Sequence, residues 1–290
     1  MTLGLSATPE RQRDEEGTAR LFGLLGDVVH TFDLDAALEA NLLSEFEYHV
    51  KTASLSPEEQ KRYDDLRAKI KYEYAIWKNS ILTEMPASLE ILIFQSRSII
   101  RNAASKVDKA IETILSDQEA GQHWLVYCGE GMLDEIDRRI TASTGKRPLR
   151  YWSGMDRYQR KTSLETFKNT GGVMLAIKCL DEGVDIPAIS HGIVLSSSKT
   201  KREWIQRRGR LLRKSSKKDK SVIYDVLAFP SGTGIECDFV MDEVKRAAEF
   251  SKSCLNRVRV EADLEMLMIE YDISETDVVL NPEDGSELDE

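Results

Sequence analysis

Over the second half of the chain, short apolar runs alternate with amphipathic stretches. Leu125-Val126-Tyr127-Cys128 precedes a helical pattern from Met132 to Thr141, and Leu149-Arg150-Tyr151-Trp152 precedes one from Tyr158 to Phe167. Val173 to Ile177 and Gly192 to Leu195 follow, then a helical pattern from Arg202 to Arg213, then Val222 to Val226. Apolar runs of four or five residues interleaved with longer helical ones predict βαβ units, hence an α/β fold with a mostly parallel sheet flanked by helices. A last helix is expected from Asp238 to Leu255, resuming to Met268.

The first half reads differently. From Phe32 to Leu115 the pattern is mainly helical, a set of helical additions to the sheet. Ser56-Pro57-Glu58-Glu59 is a helix start: a hydroxyl at the N-cap, proline at the first helical position and acids in the first turn. Tyr63, Leu66, Ile70, Tyr72 and Ile76 then recur at helical spacing, and a second run spans Leu89 to Leu115. Ahead of these, Thr2-Leu3-Gly4-Leu5 reads as the end of a buried strand, with Ser6-Ala7-Thr8-Pro9 as its exit loop. A strand end so close to residue 1 is expected of a piece of a longer protein.

Composition narrows the class. No apolar run reaches the ~20 residues that span a bilayer, and the start lacks a charged-then-apolar signal pattern, so a cytoplasmic protein is expected. Cys128, Cys179, Cys237 and Cys254 include no C-x-x-C pair, which suits buried free thiols in a reducing compartment. His30, His49, His123 and His191 show no ligand spacing, and no metal site is expected. The net charge of −10 disfavours a general polyanion binder, but charge is uneven. Lys199 to Lys220 holds eleven Lys or Arg against Glu203 and Asp219, a local +9, whereas Pro282 to Glu290 is an acidic tail.

Within the basic segment lies Gln206-Arg207-Arg208-Gly209-Arg210-Leu211-Leu212-Arg213. On a helix Gln206, Arg210 and Arg213 share one face, and two guanidiniums beside an amide suit a polyphosphate, because arginine donates in planar, bidentate fashion. Arg207, Arg208 and Lys214 read equally well as a basic, solvated face. A second loop, Leu180-Asp181-Glu182-Gly183-Val184-Asp185, offers a tight turn at Gly183 and a carboxylate at Asp185 suited to a ribose hydroxyl or to orienting the arginines. Both are expected at the carboxyl ends of the strands, where ligands of open parallel sheets bind.

Taken in order, Ser6-Ala7-Thr8, the Leu180 to Asp185 loop and Q-x-x-G-R-x-x-R at Gln206 to Arg213 resemble the third, fifth and sixth motifs of superfamily 2 helicases and translocases. The strand at Leu125 to Cys128 lies where the fourth belongs. The likeness covers about residues 1–255 and is most similar to bacterial DEAD/DEAH-type DNA helicases, relatives of excision-repair and restriction-subunit motors. It implies a RecA-like fold. Residues 1–28 would be a remnant of the first RecA-like domain, 29–121 a connecting segment with a helical insertion, 122–272 the second RecA-like domain and 273–290 a disordered acidic tail.

The resemblance also implies an ATP hydrolase that needs Mg²⁺ and acts on DNA. Arg210 and Arg213 would be its arginine fingers, with Gln206, Gly183 and Asp185 at the nucleotide and Ser6, Ala7 and Thr8 as coupling residues. Nucleic-acid contacts would come from Gly129, Ser153, Gly154, Lys178, Cys179, Ser196 and Lys199 on the opposite rim; Trp152 and Trp204 are further stacking candidates, more simply core. The chain shows no G-x-x-x-x-G-K-[ST] phosphate loop, since Gly145-Lys146 is followed by Arg147. Asp134-Glu135-Ile136-Asp137 and Val240-Met241-Asp242-Glu243 imitate an acidic box but read as helix surface. The phosphate loop and Mg²⁺ ligands are thus expected on an N-terminal RecA-like domain of the same parent chain, and these residues alone would be inactive. Rival readings are a duplex DNA translocase subunit of a restriction or phage-defence system, and a catalytically empty RecA-like interaction module.

Overall fold

The computed structural model describes residues 4–6, 14–80, 84–177, 189–196, 201–215, 218–231 and 238–271. Among these residues six strands form one sheet: β1 (Phe46–Ser54), β2 (His123–Tyr127), β3 (Leu149–Tyr151), β4 (Gly172–Ala176), β5 (His191–Val194) and β6 (Ser221–Phe229). Their spatial order is β1-β6-β5-β2-β4-β3, and every pairing is parallel. The helices are α1 (Glu15–Leu25), α2 (Leu34–Glu39), α3 (Pro57–Lys78), α4 (Ala87–Arg101), α5 (Ala104–Asp117), α6 (Leu133–Thr144), α7 (Arg157–Thr170), α8 (Lys201–Leu211), α9 (Asp238–Ser251) and α10 (Arg257–Glu270). None of the described helices is long and apolar enough to cross a membrane.

Five strands fall where the apolar runs predict them. The sixth does not: β1 interrupts the stretch from Phe32 to Leu115 expected to be helical, and it pairs along its whole length with β6. The reason is a period of two, with Phe46 and Tyr48 fully buried on one face and Glu47, His49 and Lys51 turned to the other. A second correction concerns Leu5, which is 90% exposed in a segment without regular structure, not the end of a buried strand. None of the six strands pairs with it, so it gains no burial.

The Ser56 helix start is realised as a capping box: Glu59 N–H donates to Ser56 Oγ, 3.2 Å, and Ser56 N–H to Glu59 Oε2, 2.9 Å. The Leu89 to Leu115 run divides into α4 and α5 at Asn102 and Ala103. The two acidic strings are more than helix surface. Asp137 is buried and accepts from Arg150 Nε at 2.5 Å, and buried Glu243 pairs with Arg246 at 2.6 Å. Both carboxylates are structural. Cys128 and Cys254 are buried free thiols, and burial pushes Cys128 up to about 12.

Each sheet face has its own packing. Phe46, Tyr48 and Asp225 face α8 and α9, with Phe250 of α9 stacked on Phe46 and edge-on to Tyr48 at 4.8 and 4.6 Å. On the opposite face, which α5 covers, flat rings line up across neighbouring strands: His49 on Tyr224 at 5.2 Å and His191 on Trp124 at 4.3 Å. Burial pulls His191 down to about 4 from its ordinary 6.5, so the unfolded chain takes up the proton first as pH falls. Stability is therefore expected to decline between about pH 6.5 and 4 and to level off below. Urea unfolding across that window should show the slope, and His191→Phe should flatten it; an unaltered slope in the variant would exclude His191 as its source.

Candidate functional site

The arginine segment is built on α8, the crossover between β5 and β6. Gln206 and Arg210 lie one helical turn apart and are both half-buried. Arg213 is not on their helix, which ends at Leu211. Its N–H turns back to Arg210 O at 3.4 Å, and its backbone forms an isolated antiparallel bridge with Leu43. Ser44 N–H also donates to Leu212 O at 2.8 Å, so the chain just ahead of β1 grips the end of the segment. Arg213's side chain is exposed.

That grip fixes the location. Leu43 and Ser44 lie just ahead of Phe46, the first residue of β1, and Leu211 O accepts from Ser221 Oγ, the first residue of β6, at 3.0 Å. The end of α8 and Arg213 therefore sit at the amino edge of the sheet, not at its carboxyl edge as expected. The cause is the crossover itself: α8 leaves the carboxyl end of β5 and must reach the amino end of β6.

Other arginines depart from the solvated-face reading. Arg207 is buried, donates from Nη1 to Ser196 O at 3.0 Å and lies 5.0 Å over the Tyr127 ring. Arg208 lies 3.9 Å over the Phe250 ring, and burial lowers it to about 9. Lys218 is also spent internally, donating to Ile189 O, Leu211 O and Ser221 Oγ at 2.9, 3.0 and 2.8 Å. Lys214 bonds Asn41 and Lys220 pairs with Glu47. The +9 segment is therefore less an open anion site than its composition suggests, because several of its cations serve the fold.

The carboxyl edge collects part of the remaining set. Gly129 follows β2 and Ser196 follows β5, neighbouring strands of the sheet. A Cβ at Gly129 would sit 2.8 Å from Asn102 Oδ1 and 4.0 Å from Ser196 Oγ, so the three residues adjoin. Ser153 and Gly154 follow β3 on the same edge; Gly154 packs under the Trp152 ring, which itself packs on the core. Ser6 is exposed. Ala7, Thr8, Lys178, Cys179, Gly183, Asp185 and Lys199 lie outside the described residues, as does the Trp204 side chain.

Sequence reasoning missed Asn102, Lys106 and the inward role of Arg207. Only Lys106 carried a signal, being a lysine on the apolar stripe of α5 among Ala103, Val107, Ala110 and Ile114.

Residues 105–215 match the helicase conserved C-terminal domain. The chain is 28% identical over 232 residues to a DNA 3'-5' translocase, XPB2, of Sulfurisphaera tokodaii, covering 74% of this chain and 50% of that protein. It is 25% identical over 238 residues to putative helicase 22 of a Sulfolobus islandicus filamentous virus, covering 78% and 37%. The chain thus spans half or less of the length of these curated relatives. Among solved structures, the Sulfolobus solfataricus SWI2/SNF2 ATPase core domain superposes with a TM-score of 0.50 at 13% identity, over 90% of this chain and 55% of that one. The C-terminal part of the Fun30 ATPase domain gives 0.50 at 10% identity, over 69% and 88%. These two likenesses bear on the fold alone. The helicase match runs from α5 to the end of the arginine segment, so the stretch that builds β2 to β5 of the parallel sheet is the part of this chain that resembles a helicase conserved C-terminal domain.

Proposed function

We propose that this chain is the second motor domain of an ATP-dependent DNA helicase whose first RecA-like domain, in the same parent chain, holds ATP and Mg²⁺. The observation that carries the reading is the two-rim layout of α8. The last turn of α8 and the residues just after it hold Arg210 and Arg213 at the amino edge, while Ser196, just past the end of β5, lies beside Gly129 at the carboxyl edge. The arginine side offers donors that never deprotonate, which fits the terminal phosphate of a nucleotide held across a cleft. Nothing in that pair suits a metal ion, so Mg²⁺ is assigned to the other domain. ATP, when bound, supplies the phosphoryl group whose transfer drives the domains apart.

Arg210 and Arg213 then stabilise charge developing on the transferring phosphoryl group. Gln206 stands beside them, and Gly183 with Asp185 is assigned to the nucleotide sugar or to orienting the arginines. Ser6, Ala7 and Thr8 couple the domains. Gly129, Ser153, Gly154, Lys178, Cys179, Ser196 and Lys199 hold the DNA backbone, through hydroxyls, N–H groups and lysines that read no sequence.

A second reading, movement along duplex DNA without strand separation, is supported by the name of the Sulfurisphaera relative, a DNA 3'-5' translocase. Two displacement assays on the full-length protein with ATP tell them apart. Release of a labelled single strand supports the helicase; release of a triplex-forming third strand alone supports the translocase. Release of neither would overturn both and leave an interaction module.

A further inference from the structure

Lys106 occupies a position where α5 needs an apolar residue, and it is 1% exposed. A buried ammonium is costly unless bonded. Lys106 Nζ donates to Leu195 O at 3.0 Å. Burial lowers its affinity for the proton; Glu243 and Asp225 restore part of it, and Arg246 and Arg101 oppose it. The next carbonyl along the chain, Ser196 O, accepts from Arg207 Nη1 at 3.0 Å, and Arg207 is 6% exposed. Between them Leu195 N–H donates to Tyr127 O at 2.9 Å.

The two cations come from opposite sides. α5 covers the sheet face of Tyr224, where Asp117 accepts from the Tyr224 hydroxyl at 2.5 Å. α8 covers the other face, where Leu211 would meet a Cβ at Gly192 at 2.6 Å. Two successive carbonyls at the end of one strand, each held by a buried cation from a different helix, leave that strand end little freedom. Ser196 is thereby fixed beside Gly129 and Asn102. Arg207 also stands next to Gln206 and one turn before Arg210 on α8, so the carboxyl rim and the arginine helix share a rigid connection.

We propose that Lys106 and Arg207 form a two-sided clamp on the end of β5 that sets the nucleic-acid rim and ties it to the arginine helix, both acting as positioning residues. This rests on the proposed function for its nucleic-acid half. The clamp itself is an arrangement of this chain's own carbonyls.

The test is ATP turnover of the full-length protein titrated with DNA, alongside amide exchange at Leu195. Lys106→Met keeps the buried volume and removes the bond to Leu195 O. It is expected to raise the half-saturating DNA concentration about tenfold, with turnover at saturating DNA changed less than about twofold. Arg207→Gln is expected to lower turnover at saturating DNA about tenfold as well, because the tie to α8 is cut. In the 290-residue chain, Lys106→Met should speed exchange at Leu195 about tenfold while β4 amides keep their protection. A lowered melting temperature with an unchanged DNA titration and unchanged Leu195 exchange would reduce Lys106 to a structural lysine and overturn the proposal. If the wild-type protein shows no DNA-stimulated turnover, the motor reading falls. Exchange then decides the clamp alone: faster exchange upholds it as a structural device, unchanged exchange removes it.

Discussion

Arg213→Ala in the full-length protein is expected to cut ATP turnover by about 10³-fold or more, the effect of removing an arginine finger. ATP affinity should stay within about threefold, since the finger acts on charge that develops only in the transition state. Arg213 is placed by its backbone, through the bridge to Leu43 and the Ser44 to Leu212 hydrogen bond, and its side chain is exposed. Truncation to alanine removes the guanidinium and leaves these backbone contacts in place. Arg213→Lys should recover little, because a point-like ammonium does not reproduce the planar fork. Steady-state turnover and nucleotide-binding titration of both variants check this, and wild-type turnover in Arg213→Ala would withdraw the finger assignment.

The largest expected effect on stability comes from Phe250→Ala. Phe250 is 3% exposed and holds three side chains on two other elements: Phe46 and Tyr48 of β1 at 4.8 and 4.6 Å, and the Arg208 guanidinium of α8 at 3.9 Å. Deleting such a ring from a packed core costs about 3–5 kcal/mol. Domains have only about 5–15 kcal/mol in all, so about a fifth or more of the stability should go. Arg208 would also lose the aromatic face that its burial depends on. Urea unfolding of the 290-residue chain should show a lowered midpoint, and a loss below about 1 kcal/mol would mean that β1 and α8 are not held through this ring.

Which features were legible in the sequence follows from how far apart their causes lie. The apolar runs of β2 to β6 are bounded by helical patterns, so local periodicity finds them, and the Q-x-x-G-R-x-x-R string is local too. β1 was hidden because its alternation, Phe46, Tyr48 and Val50 against Glu47, His49 and Lys51, sits just ahead of a well-capped helix and was absorbed into it. Its real partner, β6, lies far along the chain. The fates of Arg207 and Arg208 were illegible for the same reason. Both are set by aromatic rings on other elements, Tyr127 and Phe250, that no spacing within α8 reveals. Arg213 shows a subtler limit: helical spacing puts it on one face with Gln206 and Arg210, but the helix ends first and Leu43 takes over. The rim of Gly129 and Ser196 is foreshadowed by topology alone, because loops after neighbouring parallel strands must lie together.

ATP turnover by the full-length protein, measured without nucleic acid, with single-stranded DNA and with duplex DNA, tests the motor role most directly. A nucleic-acid motor whose second domain supplies Arg210 and Arg213 should hydrolyse ATP faster with DNA present, by about tenfold or more, and should lose that turnover in Arg213→Ala. An absence of hydrolysis under all three conditions would contradict it, and Gln206 to Arg213 would then be a basic segment held in place for the fold alone.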